Sequence, residues 1–179
     1  MLRCRTIALA CVVPGLLFVL GCYSTQYPLG SVDKAVVDPA YVGDFVMEDN
    51  KAETLIIRSI DNHLYYVEYD ENGKPDRMVG YTADVNGVTF ANLRDLTDDG
   101  SIDNKYLVMR IALSPDRGKL TVRNLKDDFF KGKAINSSDD LERIIRANLD
   151  NEQMYDGPPA EAMRVTPPAK PNAPSQPSL

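Results

Sequence analysis

Between Asp38 and Leu125 the chain alternates apolar and polar side chains, the period-two rhythm of strands. In the run Lys105 to Leu113, Leu107, Met109, Ile111 and Leu113 fall on one face and Tyr106, Val108, Arg110 and Ala112 on the other. Val79, Tyr81, Ala83 and Val85 repeat the pattern, with Gly80, Thr82 and Asp84 opposite. Each strand thus has a drier and a wetter face, and strands are predicted near 41–48, 52–60, 63–70, 77–85, 88–94, 105–113 and 119–125. Asn72-Gly73 and Asn86-Gly87 break the alternating runs with residues that accept the positive φ of tight hairpins. Asp116-Arg117-Gly118 marks another turn. Seven strands joined by hairpins make an antiparallel meander, able to curl into a barrel or half-barrel.

The period then changes. Ser137-Ser138-Asp139-Asp140 supplies a serine cap and first-turn acids, and Leu141, Ile144, Ile145 and Leu149 follow at helical spacing. One C-terminal α-helix is predicted over about 137–150, its apolar stripe covering an open edge or end of the sheet rather than binding another protein. Residues 22–38, with Pro28 and Gly30, have no strong period and read as a flexible tether. Residues 157–179 hold seven of the 12 prolines and few large apolar groups, so disorder is expected there. What remains, 39–156, is about 118 residues, enough for a single mainly β domain with one core.

Residues 1–21 open with Arg3 and Arg5, continue through an apolar stretch from Ile7 to Leu20, and end on Gly21, the layout of a secretory signal. That stretch is about 14 residues, short of the roughly 20 needed to span a bilayer. Val19-Leu20-Gly21-Cys22 resembles the lipobox of bacterial lipoproteins. The resemblance implies cleavage before Cys22, lipidation of Cys22 with acyl chains such as palmitate, and anchoring of a small lipoprotein to a membrane of the cell envelope. Tyr23 stands where an Asp would imply inner-membrane retention, so the resemblance favours the outer membrane, facing the periplasm, in a Gram-negative cell.

Charge narrows the partners. The leader's two arginines removed, 18 basic residues face 26 acidic ones, a net charge of −8. Nucleic acid needs a basic face to neutralise phosphates, and anionic head groups attract basic segments; neither fits this balance. Cys4 and Cys11 lie in the leader, which leaves Cys22 as the only thiol of the mature chain and forbids an internal disulfide. Stability must come from the core.

Candidate chemistry is sparse. Asp95-Leu96-Thr97-Asp98-Asp99-Gly100-Ser101-Ile102-Asp103 places oxygens at positions one, three, five and nine with glycine at six, and resembles a calcium-binding EF-hand loop. Asp95, Thr97, Asp99 and Asp103 are the metal candidates. Tyr106 replaces the bidentate Glu at position twelve and the flanks read as strands, so an acidic solvated turn is the preferred reading. Gly43-Asp44-Phe45 at the first strand resembles the lipocalin Gly-x-Trp opening, with Phe45 for the tryptophan. That resemblance implies a meander barrel with a helix after its strands and a lipophilic ligand inside; Phe45 plugging one end of a core is the plainer reading. Tyr65, Tyr66, Tyr69, Tyr81 and Phe90 are candidate cavity residues, or ordinary sheet packing. The single histidine, His63, falls in a predicted turn, and no nucleophile elbow, zinc-binding His pair or phosphate loop occurs, so no enzyme is expected. Pro168, Pro171, Pro174 and Pro177 recur every three residues and would share one edge of a polyproline II helix, a candidate contact for an envelope partner or a plain spacer. Two functions follow: a membrane-anchored structural or interaction module of the envelope, or a lipocalin-like carrier of a small apolar ligand. A carrier requires an unfilled apolar interior; a module can be packed solid.

Overall fold

The computed structural model describes residues 23–165. Nine strands form: β1 (Ser24–Thr25), β2 (Gly43–Met47), β3 (Thr54–Ser59), β4 (Tyr65–Glu71), β5 (Lys74–Val85), β6 (Val88–Asp95), β7 (Tyr106–Leu113), β8 (Lys119–Asn124) and β9 (Ala160–Arg164). Helices α1 (Asp127–Phe130) and α2 (Ser138–Arg146) lie between β8 and β9. From β2 to β8 the strands pair in chain order, each antiparallel to the last. The expected meander is present. Asn72 and Asn86 adopt φ of 59° and 54° ahead of Gly73 and Gly87, as the hairpins require.

Closure comes from residues assigned above to a disordered tail. β9 inserts between β8 and β2, antiparallel to both, and completes an eight-stranded barrel. Its sequence, Ala-Glu-Ala-Met-Arg, disguises a strand: the inward parity carries Ala160 and Ala162, small enough for a crowded wall, and ends on Arg164; Ala162 is fully buried. Glu161 faces out, where its carboxylate accepts from Lys119 Nζ at 2.8 Å.

The expected tether is also corrected. From Tyr23 to Asp38 the chain is a strap bound along the barrel. Tyr23 N–H donates to Leu125 O, β1 pairs with β7 beyond the point where β8 ends, and Leu29 is fully buried. Asn92, itself buried on the outer face of β6, accepts from Leu29 N–H at 2.7 Å and donates to Leu29 O at 3.2 Å. Lower down, Val37 N–H donates to Asn62 O and Asp38 N–H to the Tyr65 hydroxyl. The strap exists because the outer faces of β5 to β7 are themselves apolar and need cover. Residues 1–22 and 166–179, with the leader, Cys22 and the proline repeat, lie outside the described residues.

Two cores result. The barrel interior gathers Phe45, Ile57, Val67, Leu93, Ile111 and Leu120. The outer core gathers Leu29, Val85, Phe90, Val108, Leu141 and Ile145. β7 feeds both, Ile111 inward and Val108 outward, which explains why neither face of that strand reads as purely polar. Helix α2 therefore lies against the outside of the wall and covers no edge or end, since closure leaves no open edge for it. Its cap is the predicted one, Ser137 Oγ accepting from Asp140 N–H, but the helix ends at Arg146, shorter than 137–150. On β5 the residues facing inward are Met78, Gly80 and Thr82, paired with Asp95, Leu93 and Ala91. Gly80 is dictated by the close approach of β6: a Cβ there would lie 2.1 Å from Asn92 O.

Candidate functional site

The barrel encloses a cavity of about 680 Å³. Leu55, Ile57, Val67, Leu93, Met109 and Ile111 are among its walls, and they stand inward because each occupies the inner parity of its strand. One end is shut. A single 3-10 turn, Pro39–Tyr41, crosses beneath the strands, its start capped by Asp38 Oδ1 accepting from Ala40 N–H at 2.9 Å. Above it the Phe45 ring is 1% exposed, and the Arg164 guanidinium lies 4.5 Å from the ring centroid. Arg164 donates to Val42 O at 2.7 Å, Ala40 O at 2.5 Å and Arg117 O at 2.8 Å, so one side chain ties the last barrel strand to the turn that floors the barrel. Gly43 leaves room for that guanidinium: a Cβ there would sit 2.0 Å from Arg164 Nη1, so the side chain would have to shift. The Gly43-Asp44-Phe45 motif thus plugs the closed end of the interior.

Tyrosine hydroxyls line the floor. The Tyr65 hydroxyl accepts from Asp38 N–H at 2.6 Å and lies 3.2 Å from Asp38 O, and the Tyr41 ring stands beside it. Burial pushes both phenols above their ordinary range, which keeps them neutral donors at any physiological pH.

The other end is open, framed by the β2–β3 turn, the β4–β5 hairpin and the β6–β7 loop. Glu53, 5% exposed, accepts from the Tyr69 hydroxyl at 2.5 Å and from Asn50 Nδ2 at 2.7 Å. Desolvation, and then the Glu53 carboxylate, raise the Tyr69 pKa far above normal. Asp95 turns toward the mouth, where burial, then Asp103 and Asp76, hold its carboxyl above the usual range. Asn124 Oδ1, buried on the upper wall, has no hydrogen-bond partner among the described residues.

The calcium candidates lie on one hairpin, where Thr97 and Asp99 are bonded to each other while the Asp95 carboxyl turns to the mouth. Leu96 and Ile102 form a bridge, Thr97 Oγ1 donates to Asp99 Oδ1 at 2.6 Å, and Ser101 N–H donates to the same oxygen at 2.9 Å. Those donors depress the Asp99 pKa to about 2. Asp95 and Asp103 are joined through backbone, Asp103 N–H to Asp95 O. Among the described residues no three His, Cys, Asp or Glu side chains converge as a metal site. His63 sits in the β3–β4 turn, its Nδ1 2.6 Å from Ala35 O, and there it pins the strap. Of the candidate cavity residues, Tyr65 and Tyr69 line the space and Tyr81 borders it with its ring edge-on to Tyr106. Tyr66 faces outward to Glu68, and Phe90 belongs to the outer core.

Sequence reasoning missed three residues. Glu53 carried a signal, since it shares parity with Leu55 and Ile57 and so had to point inward. Asn124 shares parity with Leu120 and Val122 in the same way. Arg164 carried none, because its strand was hidden in a proline-rich stretch.

Fold and site together define a class: a closed eight-stranded antiparallel barrel around an apolar cavity with a stapled floor and an open mouth. No protein-family model, curated protein or solved structure matches the chain.

Proposed function

We propose that this protein is a carrier of a small apolar or amphiphilic molecule, held on a bacterial envelope membrane by lipid on Cys22. The observation that carries the reading is the cavity of about 680 Å³, apolar-walled and open at one end. That volume falls within the roughly 300–1,000 Å³ of small-molecule pockets. An interaction module has no use for such a space, because an unfilled interior forfeits dispersion contacts that a solid core would keep. The reading needs no chemical step and no metal. The ligand's apolar body fits the walls, and a polar head fits the mouth, where Asn124 Oδ1 and the Tyr69–Glu53 pair offer hydrogen-bonding groups. The membrane address comes from the leader and from Val19-Leu20-Gly21-Cys22, whose resemblance to a lipobox supports it.

The test is native mass spectrometry of the lipoprotein extracted from its own membrane in mild detergent. A reproducible extra mass, displaced by an uncharged fluorescent apolar probe that binds one per chain, supports the carrier. A lipidated chain that arrives bare and binds no such probe returns the weight to the interaction module.

A further inference from the structure

The carrier reading puts lipid on Cys22, and this inference rests on it. Cys22 immediately precedes Tyr23, and Tyr23 is fixed. Its N–H donates to Leu125 O at 3.0 Å, its ring stacks on Phe130 with centroids 4.1 Å apart, and Ser24 and Thr25 pair with Leu107 and Tyr106. The slack between rigid backbone and the lipidated residue is one Cα–Cα step, about 3.8 Å. β7 runs from the mouth at Tyr106 to the closed end at Leu113, and Leu125 follows the mouth end of β8. β1 runs toward the mouth, so Tyr23 stands level with Val108, and the anchor leaves the mouth half of the wall about two residues in from the rim. Beside it, exposed Lys126, Lys131 and Lys133 flank α1; Lys131 is paired with Asp128 at 2.6 Å and Asp127 at 3.5 Å, and Lys133 Nζ lies 4.3 Å from the Phe129 ring, a pairing suited to a membrane interface. Ile102, 44% exposed, stands on the mouth hairpin.

We propose that the mature protein sits mouth-down on the bilayer, so that its cavity opens onto the head groups and is filled with a lipid drawn from the membrane. The rim decides which surface fits. Asp76, Asp95, Asp98 and Asp103 stand around the opening, and head groups that present ammonium without net negative charge complement them, whereas an anionic surface repels them.

The experiment uses the lipoprotein with its natural lipid, in vesicles of phosphatidylethanolamine and phosphatidylcholine. Cys22, the only mature thiol, is then blocked by lipid, so single cysteines accept a fluorophore uniquely. Asn104→Cys reports the mouth; Pro115→Cys and Ile60→Cys report the closed end. Strand rise and barrel tilt place the two ends about 20 Å apart. Nitroxide-labelled head groups should quench the Asn104→Cys label about threefold or more beyond the other two, given that separation. Equal quenching, or stronger quenching at the closed end, overturns the orientation. Uptake of a fluorescent lipid from the same vesicles is read separately: mouth-down seating without uptake overturns filling from the membrane and, with it, the carrier. A mature mass lacking lipid on Cys22 removes the anchor from which the orientation was argued.

Discussion

If the barrel interior is unfilled, the same enlargement should have opposite signs at two alanines. Ala91 lines the cavity; Ala162 is fully buried but stands outside its lining, wedged in register between Leu120 and Met47. Ala91→Leu adds three carbons that project into empty space, each worth about 0.8 kcal/mol when buried, for a gain of up to about 2 kcal/mol. Ala162→Leu adds the same atoms where there is no room, and overpacking costs about 1–3 kcal/mol. Urea unfolding of the two variants reads the difference directly, and thermal melting should move by about 4 °C for each kcal/mol. A second consequence is independent of stability. The larger side chain of the Ala91→Leu variant occupies ligand space, so the uncharged fluorescent probe should lose about 2 kcal/mol of contact, a factor of roughly 30 in Kd. Ala91→Leu destabilising as much as Ala162→Leu, with binding unchanged, would refute both the empty interior and the site built on it.

Two other predictions concern the mouth. Tyr69→Phe deprives buried Glu53 of its short donor, and stability by urea titration at neutral pH should fall by about 1–3 kcal/mol; no loss would mean that Glu53 draws its support elsewhere. Asp95 and Asp99 should respond oppositely to acid. Asp95 is raised in the folded state, so its contribution is present below the ordinary value of 3.8 and is lost as pH rises through the raised one. Asp99 is depressed to about 2, so its contribution is present above 3.8 and is lost as pH falls toward 2. At pH 7, Asp95→Asn should therefore melt higher than the parent and Asp99→Asn lower, with both differences shrinking below pH 4; parallel shifts across that range would contradict the assigned causes.

Most of the meander was legible because hairpins leave local marks. Alternation placed the inner residues of β7, and Asn-Gly pairs placed two of the turns. The strap was illegible because its order is borrowed. Leu29 has no period around it, and its burial depends on Asn92, 63 residues away. β5 was legible as a strand but ambiguous in direction: Val79, Tyr81, Ala83 and Val85 look like an inner face, yet they face outward, because strap and helix give the outer wall a core of its own. The acidic hairpin shows the reverse limit. Oxygens at calcium-like spacing also satisfy an ordinary turn, and the donors that hold Asp99 Oδ1, Thr97 Oγ1 and Ser101 N–H, are not legible from that spacing.

Closure of the barrel is the sharpest divergence between the two readings, and truncation tests it. If residues 157–179 were a disordered tail, a chain ending at Asp156 would fold as well as the parent. In the structure that cut removes β9, leaving β2 and β8 with unpaired edges and the interior open along one side. It also removes Arg164, so the Phe45 ring loses its cover and the carbonyls of Ala40 and Val42 lose their donor. An exposed apolar interior between two free strand edges is a template for aggregation. A chain ending at Val165 keeps every one of these contacts. The expected outcome is a soluble, cooperatively melting protein for the longer chain and an aggregating or molten one for the shorter, read by near-ultraviolet circular dichroism and size-exclusion chromatography. Ligand binding should follow the same division, since a cavity exists only where the eighth strand completes its wall. A chain ending at Asp156 that melts cooperatively and still binds the uncharged probe would show that the seven-strand meander supports the site unaided, and that the staple through Arg164 is dispensable.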